Sequence, residues 1–282
     1  MSCERSEVET PTQGFARLDE AAFPEFAPGT VWLVGAGPGA PGLMTLLGYH
    51  ALQRADAVVY DALVNDAVLA WARRDAKIEY AGKRGGRPSA KQRDISLRLI
   101  ELAKAGHRVV RLKGGDPLMF GRGGEECQML QEAGIAFRIV PGITAGVGGL
   151  AYAGIPATHR AVNQSVLFLT GHDSAGAVPS RVDWRAVATA APVIVMYMAV
   201  KNLAAIAEKL IGFGRAPSDP VAIVSNATLP EQSVFATTLG GIGEGAKVED
   251  LPTPALVVIG HVVDLLPALD WYADALRENR LG

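Results

Sequence analysis

The sequence predicts an α/β fold of two lobes, with a mostly parallel N-terminal sheet and a mixed C-terminal sheet. Short apolar runs alternate with segments whose apolar residues recur at helical spacing, which is typical of parallel strands joined by helices. One strand-like run in the second half, residues 233–239, is rich in threonine and alternates with polar residues, which favours antiparallel pairing. The chain has 282 residues, of which 49% are hydrophobic and 20% charged, so it can bury a large core.

The N-terminal lobe is predicted to span residues 29–142, after a polar and mobile arm at residues 1–28. Its first strand-like run, VWLVG, is apolar throughout, as expected for a buried strand. Alternation of strands and helices predicts right-handed crossovers in this half. The predicted strands are 31–35, 56–61, 77–82, 107–112 and 137–142, and the predicted helices lie within 42–55, 65–74, 95–105 and from Gly124 onward.

The C-terminal lobe is predicted to span residues 143–282, and the glycine-rich stretch Gly142 to Gly154 is the expected seam between the lobes. Its strand-like runs resemble those of the first half in style but not in sequence. The predicted strands are 165–171, 192–198, 220–226, 233–239 and 254–260, and the predicted helices lie near 183–188 and 201–211.

Composition excludes several classes of protein. The formal net charge is −2, so the sequence predicts no nucleic-acid partner. Its two cysteines, Cys3 and Cys127, do not suggest a disulfide framework or a metal site, and they fit a reducing compartment. The first residues do not resemble a signal peptide, and the longest apolar runs are too short to span a bilayer. We therefore expect a cytoplasmic protein without membrane contact.

The first glycine-rich turn, Gly35 to Ala40, matches the dinucleotide pattern G-x-G-x-x-A directly after a strand. An acidic residue, Asp56, follows about twenty positions later, as that pattern requires. However, Asp56 opens the second strand instead of closing it, and Pro38 removes a backbone N–H that a pyrophosphate would use. A tight strand-to-helix turn without a ligand explains the same residues, and the motif alone leaves both interpretations open.

The second glycine-rich turn lies within RLKGGDPLMFGRGGEE, from Arg111 to Glu126. Gly114 and Gly115 allow a sharp turn and a close approach of the backbone to a ligand. Asp116 would repel a phosphate, so this turn suits a neutral or cationic ligand such as an amino group, a ribose hydroxyl or a sulfonium. The alternative is that Asp116 only caps its own turn, as aspartate before proline often does.

Six segments occur in a characteristic order: VGAGPGAPGLMTL, VVYDALV, AGKRGG, RLKGGDPLMFGRGGEE, VPGITAGVGGLAYAGIPATHR and QSVLFLTGH. Together they resemble the uroporphyrinogen-III C-methyltransferases of the tetrapyrrole methylase family. The resemblance implies a two-lobed tetrapyrrole methylase fold that binds S-adenosyl-L-methionine between the lobes, usually as a homodimer. It also implies two methyl transfers to uroporphyrinogen III, giving precorrin-2 through precorrin-1 for sirohaem or cobalamin biosynthesis. Because no dehydrogenase–chelatase module precedes the matched segments, a stand-alone enzyme is expected.

The resemblance assigns roles to individual residues of this sequence. Asp61 matches the proposed proton acceptor and Lys83 the proposed proton donor. Asp61 ends a strand, where α/β proteins gather ligands, although a helix N-cap is the alternative for it. The matched cofactor-binding positions are Pro38, Gly114, Gly115, Asp116, Met119, Thr144, Ala145, Met198 and Ala227.

The acidic substrate leads us to expect a cationic pocket. Arginine binds carboxylates with two parallel hydrogen bonds, and Arg84, Arg122 and Arg160 lie inside the matched segments. Lys91 and Arg93 are better explained as solvated residues of a basic loop. No metal site is expected.

The chain departs from the family pattern at several positions. Ala62 stands where arginine is common, and the segment 161–163 lacks a common acid and aromatic residue. Ala227 stands where glycine is common. These changes bear on the substrate contacts. Three other classes of protein remain as alternatives: a sister methylase acting on a later corrin precursor, a protein or RNA; a nicotinamide-dependent oxidoreductase; and a non-catalytic tetrapyrrole or nucleoside sensor.

Overall fold

The computed structural model describes residues 22–81, 92–243 and 248–272. Over these residues the chain forms two five-stranded sheets, the first built from strands between residues 31 and 140 and the second between residues 166 and 259. No helix in the described parts of the chain has the length and apolar character needed to cross a membrane.

The first sheet is parallel throughout, as the alternating pattern predicts. Its strands are ordered β3-β2-β4-β1-β5, and the interior strands β4 and β1 are buried along their whole length. Helices pack on both faces, which explains why the interior strands are mostly apolar, whereas the edge strand β3 is more polar and more exposed. The strands are β1 Val31–Gly35, β2 Ala57–Tyr60, β3 Lys77–Tyr80, β4 Val109–Lys113 and β5 Phe137–Val140.

The helices of the first half are α1 Leu46–Arg54, α2 Asp66–Leu69, α3 Gln92–Lys104 and α4 Gly123–Glu132. The helix predicted within 42–55 begins only at Leu46, because a short 3-10 turn at Pro41–Leu43 precedes it. The Thr45 hydroxyl caps α1 by accepting a hydrogen bond of 3.1 Å from the Gly48 amide. Phe26, in the last part of the predicted arm, is buried and stacks on Trp32 with 4.4 Å between ring centroids.

The second sheet is mixed, also as predicted. Its order is β6-β7-β10-β8-β9, in which β6 and β7 are parallel and the other pairs are antiparallel. The elements of this half are α5 Ala145–Tyr152, β6 Val166–Thr170, α6 Trp184–Ala190, β7 Val193–Tyr197, α7 Leu203–Gly212, β8 Pro220–Ser225, β9 Ser233–Thr238, α8 Leu239–Gly243, β10 Ala255–Ile259 and α9 Leu266–Leu269.

Helix α5 occupies most of the glycine-rich stretch that follows β5. Leu150 and Ala153 of this stretch are buried in one apolar cluster with Val195 of β7 and Val258 of β10. The helix therefore packs on the second sheet, while the residues just before it, at the end of β5, stay beside the first. This arrangement brings the carboxyl ends of β1 and β4 close to the start of α5.

Candidate active site between the two sheets

The two glycine-rich turns bond to each other through their backbones. Gly37 and Gly115 exchange hydrogen bonds in both directions, with N···O distances of 3.2 Å from the Gly37 amide and 2.7 Å from the Gly115 amide. The Ala36 amide donates to the carbonyl of Lys113 at 2.8 Å, and the Ala40 amide donates to the Thr228 hydroxyl at 2.8 Å. These amides already have acceptors, so the first turn does not offer the free N–H groups of a pyrophosphate cradle.

The acidic residue of the dinucleotide pattern also lies in the wrong place. Asp56 precedes β2, whereas the glycine-rich turns follow the carboxyl ends of β1 and β4. Its carboxylate accepts a hydrogen bond of 2.8 Å from the Arg108 amide and forms an ion pair of 3.1 Å with Arg73. Asp56 therefore links the segments that precede β2 and β4 at the amino end of the sheet. The dinucleotide interpretation of the first turn is not supported.

The second turn approaches the end of β5 so closely that side chains are excluded. A Cβ atom on Gly35 would lie 2.5 Å from the Gly142 Cα and 2.6 Å from the Gly115 carbonyl oxygen. Gly115 itself has φ of 65°, in the left-handed region that favours glycine. Gly35, Gly115 and Gly142 therefore present a surface of bare backbone beside Asp116. This surface is called here the glycine floor.

Asp116 uses both oxygens of its half-buried carboxylate. Oδ1 accepts a hydrogen bond of 2.8 Å from the Leu118 amide, and Oδ2 accepts one of 3.1 Å from the Gly142 amide. The first bond is the turn cap that the sequence allowed, while the second ties the turn to the end of β5. Each oxygen keeps a second lone pair, so the carboxylate can still accept a hydrogen bond from a ligand.

The start of α5 is held by a tyrosine from the second sheet. The hydroxyl of Tyr197 lies 2.6 Å from the Thr144 hydroxyl and accepts a hydrogen bond of 2.8 Å from the Gly146 amide. Burial raises the pKa of Tyr197. The ring of Phe120, from the Asp116 turn, lies 4.9 Å from the Tyr197 ring. These contacts bring the Asp116 turn, the start of α5 and the end of β7 together.

Backbone strain concentrates at the same edge. Five described non-glycine residues have positive φ, and they follow the carboxyl ends of β4, β7 and β8. Such conformations cost free energy and tend to cluster where ligands bind. The residues are Phe120, Arg122, Met198, Asn226 and Thr228.

A buried cluster of charges lies behind the Asp116 turn. The guanidinium of Arg111 and the ammonium of Lys113 lie 3.0 Å and 3.5 Å from Oε1 of Glu126, and all three side chains are buried. Burial, followed by the charge of Arg111, lowers the pKa of Lys113, although Glu126 and Asp61 oppose the shift. Sequence reasoning missed this cluster. The signal that could have revealed it is the spacing of Arg111 and Lys113, which lie two residues apart in a strand and so point to the same face of the sheet.

Asp61 lies at the carboxyl end of β2, beside this cluster. Its Oδ1 accepts hydrogen bonds from the amides of Leu63 at 3.2 Å and Gly114 at 3.4 Å, and its Oδ2 lies 3.6 Å from Arg111. The alternative of a helix cap is wrong, because Asn65 caps α2 by accepting a hydrogen bond from the Ala67 amide. The Asp61 carboxylate instead links the first-sheet loops beside the Asp116 turn.

The structure brings most of the predicted cofactor positions together. A Cβ on Gly148 would lie 3.2 Å from Pro38, and one on Gly149 would lie 2.8 Å from the Cβ of Ala227. Both glycines belong to α5, so this helix contacts the first turn and the loop after β8. A Cβ on Gly115 would lie 3.9 Å from Thr144 and 4.0 Å from Ala145, and Asp116 bonds to Gly142 just before them. Gly114 and Met119 belong to the same turn as Asp116, and Met198 directly follows β7. Tyr197 and Phe120, which sequence reasoning did not select, lie among them.

The predicted basic residues are more dispersed. Arg122 is exposed and already forms two hydrogen bonds, of 2.9 Å and 2.7 Å, with the carboxylate of Glu125. Arg160 is exposed on a loop that Asn163 holds together through its buried side-chain amide. Lys83 and Arg84 lie outside the described residues. Asn163, a departure from the family pattern, thus has a structural role in this loop.

Comparison with known proteins identifies the relatives of this fold. A family model described as Tetrapyrrole (Corrin/Porphyrin) Methylases matches residues 30–243. A uroporphyrinogen-III C-methyltransferase from Sinorhizobium sp is 60% identical over 251 residues, which are 89% of this chain and 90% of that protein. A siroheme synthase from Neisseria meningitidis serogroup B is 48% identical over 90% of this chain, but the chain spans only 52% of that protein.

A solved structure has the same architecture. The crystal structure of uroporphyrin-III C-methyl transferase from Thermus thermophilus, complexed with S-adenyl homocysteine, matches with a TM-score of 0.73 and 38% identity. The match covers 84% of this chain and 99% of that one, so both sheets are included.

Proposed function

Because the chain belongs to the tetrapyrrole methylase family, we propose that it transfers methyl groups from S-adenosylmethionine to uroporphyrinogen III. The observation that carries this proposal is the 60% identity to a uroporphyrinogen-III C-methyltransferase over nearly the whole of both chains. Two successive transfers give first precorrin-1 and then precorrin-2. The second product serves sirohaem or cobalamin biosynthesis.

The residues beside the glycine floor fit S-adenosylmethionine. The half-buried carboxylate of Asp116 can accept hydrogen bonds from hydroxyl or amino groups of a ligand. Met119, Met198 and Phe120 offer polarisable and aromatic surface for the apolar parts. When bound, the cofactor supplies an electrophilic methyl group, whose transfer breaks a sulfur–carbon bond and forms a carbon–carbon bond on the tetrapyrrole ring. The residues we assign to the cofactor are the nine positions that match the family's cofactor-binding positions.

Positioning is the main contribution of the protein, because the methyl donor and the electron-rich ring react once they are aligned. Well-oriented reactants gain roughly 7–11 kcal/mol of the barrier in the best models. Tyr197 supports this by fixing the start of α5, and the Asp116 turn is fixed by its bonds to Leu118 and Gly142.

Asp61 accepts the proton that leaves the ring carbon after methylation. Its carboxylate lies 3.6 Å from the Arg111 guanidinium, which helps to fix its position beside the Asp116 turn. Glu126 holds that guanidinium from the other side at 3.0 Å. Lys83 is the proposed proton donor, on the basis of the resemblance alone.

The acidic substrate is bound by Arg84, Arg122 and Arg160. Arg122 and Glu125 have side chains 56% and 55% exposed, so a substrate carboxylate can replace Glu125 at little cost. The exposed position of Arg160 is compatible with the same role. We further propose that the protein is a cytoplasmic homodimer. In each chain the two lobes, 29–142 and 143–282, meet at the cofactor. The net charge of −2 gives no reason to expect a nucleic-acid partner.

The test is to incubate the purified protein with uroporphyrinogen III and methyl-labelled S-adenosylmethionine, and to count the methyl groups on the product by mass. Two added groups are expected. A product with no added group would contradict the proposed function, and a product with one group would contradict the second transfer. Calorimetry with S-adenosylhomocysteine and with a nicotinamide dinucleotide separates the methylase from an oxidoreductase, since only the first ligand should bind.

A further inference from the structure

We propose that the hydroxyl of Tyr272 positions the loop at residues 226–232, called here the β8–β9 loop, for cofactor binding. This inference rests on the proposed function, which places Ala227 of this loop and Pro38 of the first turn beside the cofactor. Tyr272 is the last described residue, after α9, and among the described residues its hydrogen bonds and ring contacts reach no position assigned to the cofactor. It is therefore a positioning residue and not a catalytic one.

The β8–β9 loop has a conformation that its own sequence does not favour. Asn226 and Thr228 have φ of 49° and 70°, although Thr228 is β-branched and such residues rarely adopt positive φ. Thr228 is also almost completely buried, at 2% exposure. A backbone of this kind persists only when surrounding groups hold it in place.

Three groups supply that support, one from the loop itself and two from other segments of the chain. The side chain of Gln232 accepts a hydrogen bond of 2.7 Å from the Thr228 amide and donates one of 3.1 Å to the carbonyl of Tyr152. The Asn226 amide donates to the carbonyl of Pro254 at 2.8 Å. The Tyr272 hydroxyl lies 3.2 Å from the carbonyl oxygen of Leu229 and can donate to it. Of these, Tyr272 is the contact made from the C-terminal segment.

Tyr272 is itself held firmly. Its side chain is buried, and its ring lies 5.1 Å from the ring of Tyr152 at the end of α5. The neighbouring Trp271 donates a hydrogen bond of 3.0 Å from its indole nitrogen to the carbonyl of Ala151. Burial raises the pKa of Tyr272, so its hydroxyl stays protonated and remains a donor. The C-terminal segment is thus fixed on α5, which is the helix that contacts the cofactor positions.

The other side of the loop contacts the first glycine-rich turn. The hydroxyl of Thr228 accepts the hydrogen bond of 2.8 Å from the Ala40 amide. A Cβ on Gly39 would lie 2.9 Å from that hydroxyl oxygen, so the backbone of the first turn lies directly against the side chain of Thr228. A shift of the β8–β9 loop would therefore displace Ala227 and the turn that carries Pro38 at the same time. This connects Tyr272 to cofactor affinity although it does not touch the cofactor.

The experiment compares Tyr272→Phe with the wild type. Loss of one hydrogen bond predicts a dissociation constant for S-adenosylhomocysteine that is roughly three- to tenfold higher by calorimetry. The KM for uroporphyrinogen III should stay within about twofold, because the change acts on the donor side alone. Hydrogen exchange at the Ala40 amide should become faster, which reports the loosened contact with Thr228 directly.

The matched control is Tyr49→Phe. It removes a tyrosine hydroxyl from α1, where the ring packs against Trp71 at 5.6 Å, away from the β8–β9 loop. Its affinity for S-adenosylhomocysteine and its Ala40 exchange should equal those of the wild type. Thr228→Ser keeps the acceptor for the Ala40 amide and should retain near wild-type affinity, whereas Thr228→Val should lose affinity. In the Thr228→Val background, Tyr272→Phe should raise the dissociation constant for S-adenosylhomocysteine by a smaller factor than it does in the wild type.

Each outcome decides the inference. A wild-type protein that does not bind S-adenosylhomocysteine contradicts the proposed function itself. A wild type that binds it, together with a Tyr272→Phe variant of equal affinity and equal Ala40 exchange, overturns the positioning role and leaves the proposed function intact. A Tyr272→Phe chain that does not fold also overturns that role, because the hydroxyl then serves the fold as a whole.

Discussion

Arg111 and Glu126 form an ion pair inside the first lobe, with 3.0 Å between Nε and Oε1 and both side chains buried. Lys113 and the amide of Gln92 approach the same carboxylate oxygen at 3.5 Å and 2.7 Å. Arg111 also reaches Asp61. One carboxylate therefore holds two cations of β4 against α4, beside Asp61, the proposed proton acceptor.

Substitution of Glu126 by alanine should destabilise the protein strongly. The change leaves two cations buried without their nearest anion, and breaking such pairs costs about 3–5 kcal/mol of the free energy of unfolding. Urea denaturation followed by circular dichroism measures this. The neighbouring Glu125→Ala is the control, since its pair with Arg122 is exposed and is worth about 0–1 kcal/mol. Equal losses in the two variants would show that the buried cluster does not stabilise the fold.

The buried ammonium of Lys113 predicts a dependence of stability on alkaline pH. Its folded-state pKa is lowered from 10.5, mainly by burial, so between the two values the unfolded chain binds more protons than the folded one. The free energy of unfolding should therefore rise with pH in the window just below 10.5. Lys113→Met removes this contribution. Urea denaturation in steps up to that pH gives the free energy of unfolding of both proteins. As the pH rises through this window, the free energy of unfolding of the wild type should increase relative to that of the variant. A difference that does not change with pH would contradict the prediction.

Asp61→Asn should reduce turnover and leave cofactor binding unchanged. The asparagine oxygen can still accept hydrogen bonds from the amides of Leu63 and Gly114, but the side chain cannot take a proton from the ring. Loss of a general base typically lowers kcat by about 10²- to 10⁴-fold. Steady-state kinetics and calorimetry with S-adenosylhomocysteine separate the two effects. Asp56→Asn, before the opposite end of β2, should keep kcat, and full activity of Asp61→Asn would exclude Asp61 as the base.

Gly35→Ala should disturb the glycine floor. The new methyl group would lie 2.5 Å from the Gly142 Cα, and backbone cannot move aside as a flexible side chain can. Overpacking of this kind costs about 1–3 kcal/mol, and we expect weaker binding of S-adenosylhomocysteine as well. Gly42→Ala is the control, because no atom lies within 4 Å of its added Cβ. Thermal unfolding of the two variants should differ clearly, and a Gly35→Ala protein as stable as Gly42→Ala would contradict the close contact.

The interior strands β1, β7, β8 and β10 were predictable because they are buried on both faces and mostly apolar. The prediction for β1 has the observed bounds, Val31–Gly35, and the threonine-rich β9 pairs antiparallel with β8 as expected. The first helix was less predictable, since apolar spacing continued across a 3-10 turn that only the cap at Thr45 separates from α1. Local capping therefore decided where that helix begins.

The candidate site was only partly accessible to sequence reasoning. The glycine-rich turn with Asp116 stood out locally, because its residue types are unusual after a strand. The bonds between Gly37 and Gly115, and between Tyr197 and the start of α5, join distant parts of the chain and leave no periodic signal. Arg111 and Lys113 were hidden for a related reason, since their charges are balanced by a helix that comes later in the chain.

The glycine floor has a consequence for how such proteins can diversify. Peptide groups are common to every residue, so this wall of the site is insensitive to most exchanges of side chain around it. The exposed Arg160 lies on a loop that contributes no glycine to this wall, whereas Arg122 shares its loop with Gly115 and Asp116. Libraries that vary the loop of Arg160 could therefore select new acceptor molecules while the methyl donor stays the same.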